Sequence, residues 1–448
     1  MPSLRGIRVA VIGGGLAGLV AARELAKQQA TVHVIEARSR LGGRIWTLRD
    51  DGFSTEPVEL GGEFIDHSHR ELRTLARDLG LNFTRVVRDG FGLALEVDGK
   101  FRVFNRQNAI WRAFKHALKQ DADAFRGTEC DWNSTIAAVL ARHSLDELLR
   151  ARRAPADVIA MAAALRGFFA ADSDALSALV GVELTMENWD PGHVPMSRVK
   201  GGNDLLVNAL ARTKDVLFSM QRTVKRIQQN ERDVQITVTE PHGQLETVRA
   251  DYAVVTVPPV LLRSWPFSPP LPPDQRRAME SLSHGFATKA LLRFDSRWWR
   301  KPGRPRAFGT NLAIGAVWEA TEAARAPAVL TLLAGGRASE ELQAIIEEQG
   351  PDGVASRLDW LGAPQPVREF RSMTWEHDPR SKGGYAFFGK SFDPGQRWQL
   401  SRACGRILFA GEHTSREYQG FMNGAVESGQ RVAKEVVFAE HLAHLDRS

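Results

Sequence analysis

Three features of the sequence predict an α/β fold with a discontinuous Rossmann-type domain and an inserted α+β domain. The first is a glycine-rich turn between a strand and a helix near the start of the chain. The second is a change to helical texture after about residue 82. The third is the return of strand patterns near residues 199–257 and again near residue 406. At 448 residues the chain exceeds one typical core, so more than one domain is the default.

The first element is the apolar run Val9–Ile12, which reads as a buried strand. Gly13, Gly15 and Gly18 then form G-x-G-x-x-G, and Leu16 and Ala17 open a helix that runs to Ala26. Gly13 suits a tight turn, Gly15 leaves room for a pyrophosphate, and Gly18 lets helix and strand pack closely. The helix N-terminus offers free N–H groups to phosphate. Thr31–Ile35 forms a second strand, and Glu36 at its end suits hydrogen bonds from ribose hydroxyls. A 2′-phosphate would instead call for an arginine. The pattern alone does not separate one dinucleotide from another.

A helix follows over Asp66–Leu79, with Asp66 or Ser68 as its cap and Leu72, Leu75, Ala76 and Leu79 on one face. Strand-like pieces at Leu93–Val103 precede helical patterns at Ala109–Phe125, Ile136–Leu149 and Ala156–Phe169. Beyond Lys200-Gly201-Gly202 come a short helix at Leu205–Ala211, strands at Val224–Ile227 and Val234–Val238, and a buried strand at Asp251–Val257 that ends at a proline pair. Residues 289–373 mix strands and helices. Arg406–Glu412 reads as a strand and turn, and a helix spans about Phe421–Phe438. These patterns divide the chain into nucleotide-binding parts at 1–82, 198–288 and 383–448, and substrate-domain parts at 83–197 and 289–382.

Composition narrows the function classes. Hydrophobic residues make up 43% and charged residues 25%, ordinary for a globular protein. The net charge is +6, but arginines and lysines are interleaved with acids, which favours a solvated basic surface over a nucleic-acid partner. Cys130 and Cys404 are the only cysteines, giving neither a disulfide framework nor a zinc pattern. No leader-like segment precedes the first strand and no run is long enough to span a membrane, so a cytoplasmic location with no membrane anchor is expected. His67 and His69 lack a third ligand, so no metal site is read. The oligomeric state is open, with a homodimer among the options.

Further motifs carry a family resemblance. Glu36-Ala37-Arg38 is followed by Leu41-Gly42-Gly43-Arg44 and then by Glu59-Leu60-Gly61-Gly62-Glu63. Near the end, Phe409-Ala410-Gly411-Glu412 precedes Gly420-Phe421-Met422-Asn423-Gly424. In this order the motifs resemble the flavin-containing amine oxidases: monoamine oxidases, polyamine oxidases and bacterial relatives. The resemblance spans nearly the whole chain and implies FAD as cofactor, since pyridine-nucleotide dehydrogenases share only the first motif. It implies cofactor contacts at Gly13, Gly15, Leu16, Ala17, Gly18, Glu36, Arg38, Gly43, Arg44, Gly61, Gly62, Glu63, Val224, Gly411, Glu412, Phe421 and Met422. Arg44 offers a planar donor fork suited to pyrophosphate.

The resemblance also implies the reacting side chains. Lys289, on the apolar strand Ala287–Leu292, corresponds to a lysine that holds water at flavin N5; the plainer alternative is a solvent-facing strand lysine. Trp375 and Tyr385 match the tryptophan by the flavin and the first tyrosine of an aromatic cage. Phe421 stands where many relatives have the second tyrosine, so a ring face remains without its hydroxyl. All three are also compatible with ordinary core aromatics. Gly384 occupies the place of the cysteine that binds flavin covalently in monoamine oxidases, which implies non-covalent FAD. No arginine for a substrate carboxylate follows Gly61-Gly62, and Glu63 or Asp66 is available to meet a cationic amine. The implied reaction is oxidation of a primary or secondary amine to an imine, with dioxygen reduced to hydrogen peroxide. The rivals are an L-amino-acid oxidase or monooxygenase on the same fold, and a flavin-binding scaffold without oxidase activity.

Overall fold

The computed structural model describes residues 3–50, 52–106, 108–186, 196–321 and 326–445. Its organising layer is a five-stranded parallel sheet. The strand order is Val216–Ser219, Thr31–Ile35, Arg8–Ile12, Tyr252–Val255 and Ile407–Phe409. Strands far apart in sequence become neighbours because the central ones are apolar on both faces, as a covered parallel sheet requires, while the edge strand Val216–Ser219 is part exposed. Val9, Ala10, Val11, Val254 and Val255 are all buried. The helix Leu16–Lys27 leaves the central strand and packs against the C-terminal helix Met422–Leu445. Gly429 permits that crossing, since a Cβ there would lie 2.5 Å from Ala17 O.

A second, seven-stranded mixed sheet forms the other main layer. Its order is Glu369–Thr374, Ala287–Phe294, Ala328–Gly335, Ala316–Glu319, Ala307–Thr310, Phe91–Val97 and Lys100–Phe104. A helical cluster from residues 108–186 packs beside it around Trp111, Phe114, Leu145, Leu149 and Leu179. Among the described residues no helix is long and apolar enough to cross a membrane.

Several elements differ from the sequence reading. The first substrate-domain helices are broken rather than continuous. Asn108–Ala117 and Lys119–Arg126 part at Leu118, and Thr135–Ala141 and Leu145–Ala151 part before Ser144. Ser144 starts the second of these with a capping box to Glu147, a local signal that outranks the continuing apolar period. Ala156–Phe169 also splits, and Ala170 ends its last turn at φ +53°. The helix read from Asp66 begins at Arg70 instead, and neither Asp66 nor Ser68 caps it. Asp66 Oδ1 accepts the Ser68 N–H in a tight turn at 2.7 Å. The first-turn N–H of buried Leu72 is satisfied from the far end of the chain, by Asn423 Oδ1 at 2.9 Å. The boundary read at 288/289 falls inside the strand Ala287–Phe294. The C-terminal helix runs to Leu445.

Candidate active site

A single cavity of about 1270 Å³ runs from the glycine turns of the parallel sheet to the seven-stranded sheet. That exceeds the roughly 300–1,000 Å³ usual for one small molecule. Every site residue read from the sequence borders it except Gly18. Gly18 lies behind the wall, where a Cβ would collide with Gly13 O, so its role is the close contact of strand and helix.

At the sheet end the first turn is held by its neighbours. Gly13 sits at φ +108° and donates its N–H to Ile35 O at 2.9 Å. Glu36 Oε2 accepts the Gly14 N–H and Oε1 accepts the Arg38 N–H, each at 2.7 Å. The second glycine turn is bound to the first through Gly42 N–H to Gly14 O at 2.8 Å. Nothing lies within 4 Å of the place a Gly15 Cβ would take, and no side chain caps the helix that starts there. The two turns therefore frame an open cradle at a helix N-terminus, which suits a pyrophosphate. Val224 borders the cavity beside it, on a strand with a bulge between Val224 and Arg226. Arg38 is tied to Asp378 and Ser381 at 2.7 and 2.8 Å.

Farther in, Arg44 donates to Gly384 O at 2.7 Å and to Glu412 Oε1 at 2.8 Å. Glu412 also accepts the Gly420 N–H at 2.8 Å, so it clamps the turn that leads into Phe421. Burial alone would raise the Glu412 carboxyl, but Arg44, with His413 and His284 behind it, holds it below the usual carboxylate range. Gly411 sits at φ +135°, where a Cβ would strike the His413 ring. Gly61 passes under the Arg44 backbone, and Gly62 lies against Met422.

The other end of the cavity is built on the strand Ala287–Phe294. Lys289 is 2% exposed, which excludes a solvent-facing strand lysine. Its ammonium donates to Glu63 Oε2 at 2.7 Å and Gly61 O at 3.1 Å and lies 5.2 Å from the Trp318 ring centre. Glu63 Oε1 receives Arg198 at 3.3 Å and the Trp318 indole N–H at 3.2 Å. Glu63 is thus engaged on both oxygens and is not free to meet a substrate cation, which corrects that part of the sequence reading. Asp66 differs: its contacts to the Ser68 N–H and, at 3.1 Å, to His67 both fall on Oδ1, and the carboxylate borders the cavity.

Trp375 is buried, donates to Leu60 O at 3.2 Å and meets Trp46 edge-on at 6.5 Å. The Tyr385 hydroxyl donates to Phe168 O at 2.7 Å, and burial raises its pKa, so it stays neutral. Phe421 packs edge-on to Phe168 at 5.6 Å and to His69 at 5.2 Å. Lys289, Trp375, Tyr385 and Phe421 therefore all face one cavity rather than scattered cores.

The sequence reading missed Arg198, Trp318, Phe168 and His69. Each belongs to a segment with its own ordinary explanation, and only tertiary pairing reveals it. A Cβ on Gly384 would stand 2.8 Å from the Ala287 Cβ, so a larger residue there would force a shift. Cys130 borders the cavity, whereas Cys404 lies outside it, bonded to Gln229. Among the described residues no group of three His, Cys, Asp or Glu is arranged to hold a metal ion.

Residues 16–437 match the family model described as flavin containing amine oxidoreductase. Polyamine oxidase 5 of Oryza sativa subsp. japonica is 30% identical over 95% of this chain and 87% of its own length. The L-amino-acid oxidase of Mus musculus is 28% identical over 96% of this chain and 70% of its own. Among solved structures, cyclohexylamine oxidase from Brevibacterium oxydans IH-35A superposes with a TM-score of 0.84. It covers 98% of this chain and 99% of its own at 23% identity, which speaks for the fold.

Proposed function

Because the chain belongs to the flavin-containing amine oxidoreductases, we propose that it is an FAD-dependent oxidase of primary or secondary amines. One observation carries this reading. A single cavity joins the open glycine cradle to the face formed by Lys289, Trp375, Tyr385 and Phe421. The cradle fits a dinucleotide: Gly15 leaves space, the helix offers N–H groups, Glu36 offers acceptors and Arg44 offers cationic donors. Gly384, crowded by Ala287, supports non-covalent FAD.

Bound flavin supplies the two-electron acceptor. The net change is amine plus dioxygen to imine plus hydrogen peroxide, and water hydrolyses the imine to a carbonyl compound and an amine or ammonia. The protein's part is position and environment. Tyr385 is fixed by Phe168 O and presents a neutral ring beside Phe421. Two aromatic faces hold an amine by its polarisable nitrogen. The apolar walls, including Phe64, Phe91 and Leu333, disfavour an ammonium ion. The free amine, which carries the lone pair needed for oxidation, is therefore the favoured form. With Glu63 engaged by Lys289 and Arg198, no anion of that pair draws an ammonium back. Lys289 uses two donors internally and keeps one N–H for a water or a developing negative charge.

The test is an anaerobic screen of amines scored by loss of flavin absorbance. Reduction by several amines is the expected result. Reduction by amino acids but not by their decarboxylated amines would replace this reading with an amino-acid oxidase, which the mouse relative keeps in view. Absence of reduction by either class would favour a flavin-binding scaffold.

A further inference from the structure

His69 stands beside Phe421 and has no part in the chemistry above. It is 3% exposed and borders the cavity. Its Nδ1 accepts the Asp66 backbone N–H at 3.1 Å. A ring nitrogen that accepts an N–H bears no proton, so the neutral ring carries its proton on Nε2. Burial, the largest influence, pushes the ring's pKa down to about 4, so the neutral form holds at ordinary pH. The ring is locked edge-on against Phe421 at 5.2 Å and Tyr418 at 5.5 Å. Nε2 has no hydrogen-bond partner among the described residues. It is not one of the fully buried unpaired atoms, so it is open to the cavity that the ring borders.

We propose that the His69 Nε2–H is a recognition donor for an uncharged oxygen on the substrate, which makes amines bearing a hydroxyl, ether or carbonyl group the preferred class. The inference rests on the amine-oxidase reading and extends it. The donor's position points to substrate. From His69 the cavity continues to the exposed His67, Ser68 and Glu417, so the ring stands between the aromatic cage and an opening to solvent. Its charge state points to oxygen. A neutral N–H beside aromatic walls offers nothing to a second ammonium and only one weak contact to an anion. Phe421 adds to the argument, since a cage ring without a hydroxyl leaves polar recognition on this side to its neighbour.

Two substitutions separate recognition from local structure. His69→Asn keeps an oxygen near the Nδ1 position to accept the Asp66 N–H and removes the Nε2 donor. His69→Gln keeps an N–H near Nε2 and gives up the Asp66 bond. With FAD-loaded protein, kcat/KM is measured for 2-methoxyethylamine and for n-butylamine, which match in length and differ by one oxygen. The unmodified protein should prefer the ether amine. His69→Asn should lower that preference roughly fivefold to tenfold, the value of one neutral hydrogen bond. His69→Gln should retain most of it. An unchanged ratio in His69→Asn would overturn the proposal. So would a shifted flavin spectrum or weakened FAD affinity in His69→Asn, since the donor would then serve the cofactor. If neither amine reduces the flavin of the unmodified protein, the parent reading fails, not this extension alone.

Discussion

Replacing Lys289 or its carboxylate partner should give opposite balances of stability and rate. Lys289→Met removes one of two cations that share Glu63. The carboxylate keeps Arg198 at 3.3 Å and Trp318 at 3.2 Å, so no unpaired charge is left. Methionine has similar length and suits the apolar strand. The loss is a charged hydrogen bond, about 1.5–3 kcal/mol, partly offset because a buried ammonium no longer has to be desolvated. The net cost should be about 1–2 kcal/mol. Glu63→Gln does the reverse: it leaves Lys289 and Arg198 buried without the carboxylate they contact. Stripping a buried pair of one partner costs about 3–5 kcal/mol. Thermal unfolding of the FAD-loaded proteins should therefore rank Glu63→Gln as clearly the less stable. Stopped-flow measurement of the two half-reactions reads the rate. On the proposed reading the Lys289 ammonium stabilises negative charge in the reduced site, so Lys289→Met should slow reoxidation by dioxygen by roughly tenfold to hundredfold and amine oxidation less. Two results would refute the reasoning. One is a Glu63→Gln protein as stable as Lys289→Met. The other is unchanged rates in both half-reactions at full flavin content, which would make Lys289 a structural residue only.

Four further outcomes follow from the same geometry. Gly15→Val should fold, because its Cβ points into open space, yet lose FAD, read as a colourless protein that melts like the FAD-free unmodified protein; full flavin occupancy would contradict the cradle. Glu36→Ala, which also frees the Gly14 and Arg38 N–H groups, should weaken FAD by about 1–3 kcal/mol in a fluorescence titration. Acid precipitation should release FAD into the supernatant, and yellow precipitate would show a covalent link. Burial pushes the Glu59 carboxyl up to about 7, with the Glu63 charge adding to it and the Asn203 and Thr47 donors opposing. The folded state then holds a proton that the unfolded chain releases near 4.5, so this group erodes stability as pH rises from about 4.5 to 7, by about 3 kcal/mol in full. Glu59→Gln should accordingly gain on the unmodified protein between pH 5 and pH 8, and a constant difference in melting temperature would rule the effect out.

The nucleotide half of the fold was legible because its signals are local. Strand, turn, helix and terminal acid follow one another within Arg8–Glu36, and each needs only its neighbours to make sense. The helical insertion was legible as helical but not in its breaks. Ser144 with Glu147 was visible as a capping pair, yet the apolar period ran through it and dominated the reading. The start of the Arg70–Asp78 helix was not legible at all, because its cap comes from Asn423, more than three hundred residues away.

The same distinction separates the parts of the site. Resemblance located Lys289, Arg44, Glu63 and Glu412 as single positions, and the cavity gathers them. It did not show which charge answers which. Glu63 looked like a receiver for a cationic substrate because a lone acid near the flavin motif invites that role. Lys289 occupies one of its oxygens, and Arg198 with Trp318 occupies the other. Arg44 looked dedicated to pyrophosphate, and it also anchors Glu412 and the Gly384 carbonyl. With Glu63 and Glu412 engaged within the protein, the aromatic end of the cavity meets a substrate mainly with rings and donors, and Asp66 stands at its edge. That balance favours a neutral amine over an ammonium ion. It also explains how an apolar chamber tolerates three buried charges: two cations share one carboxylate.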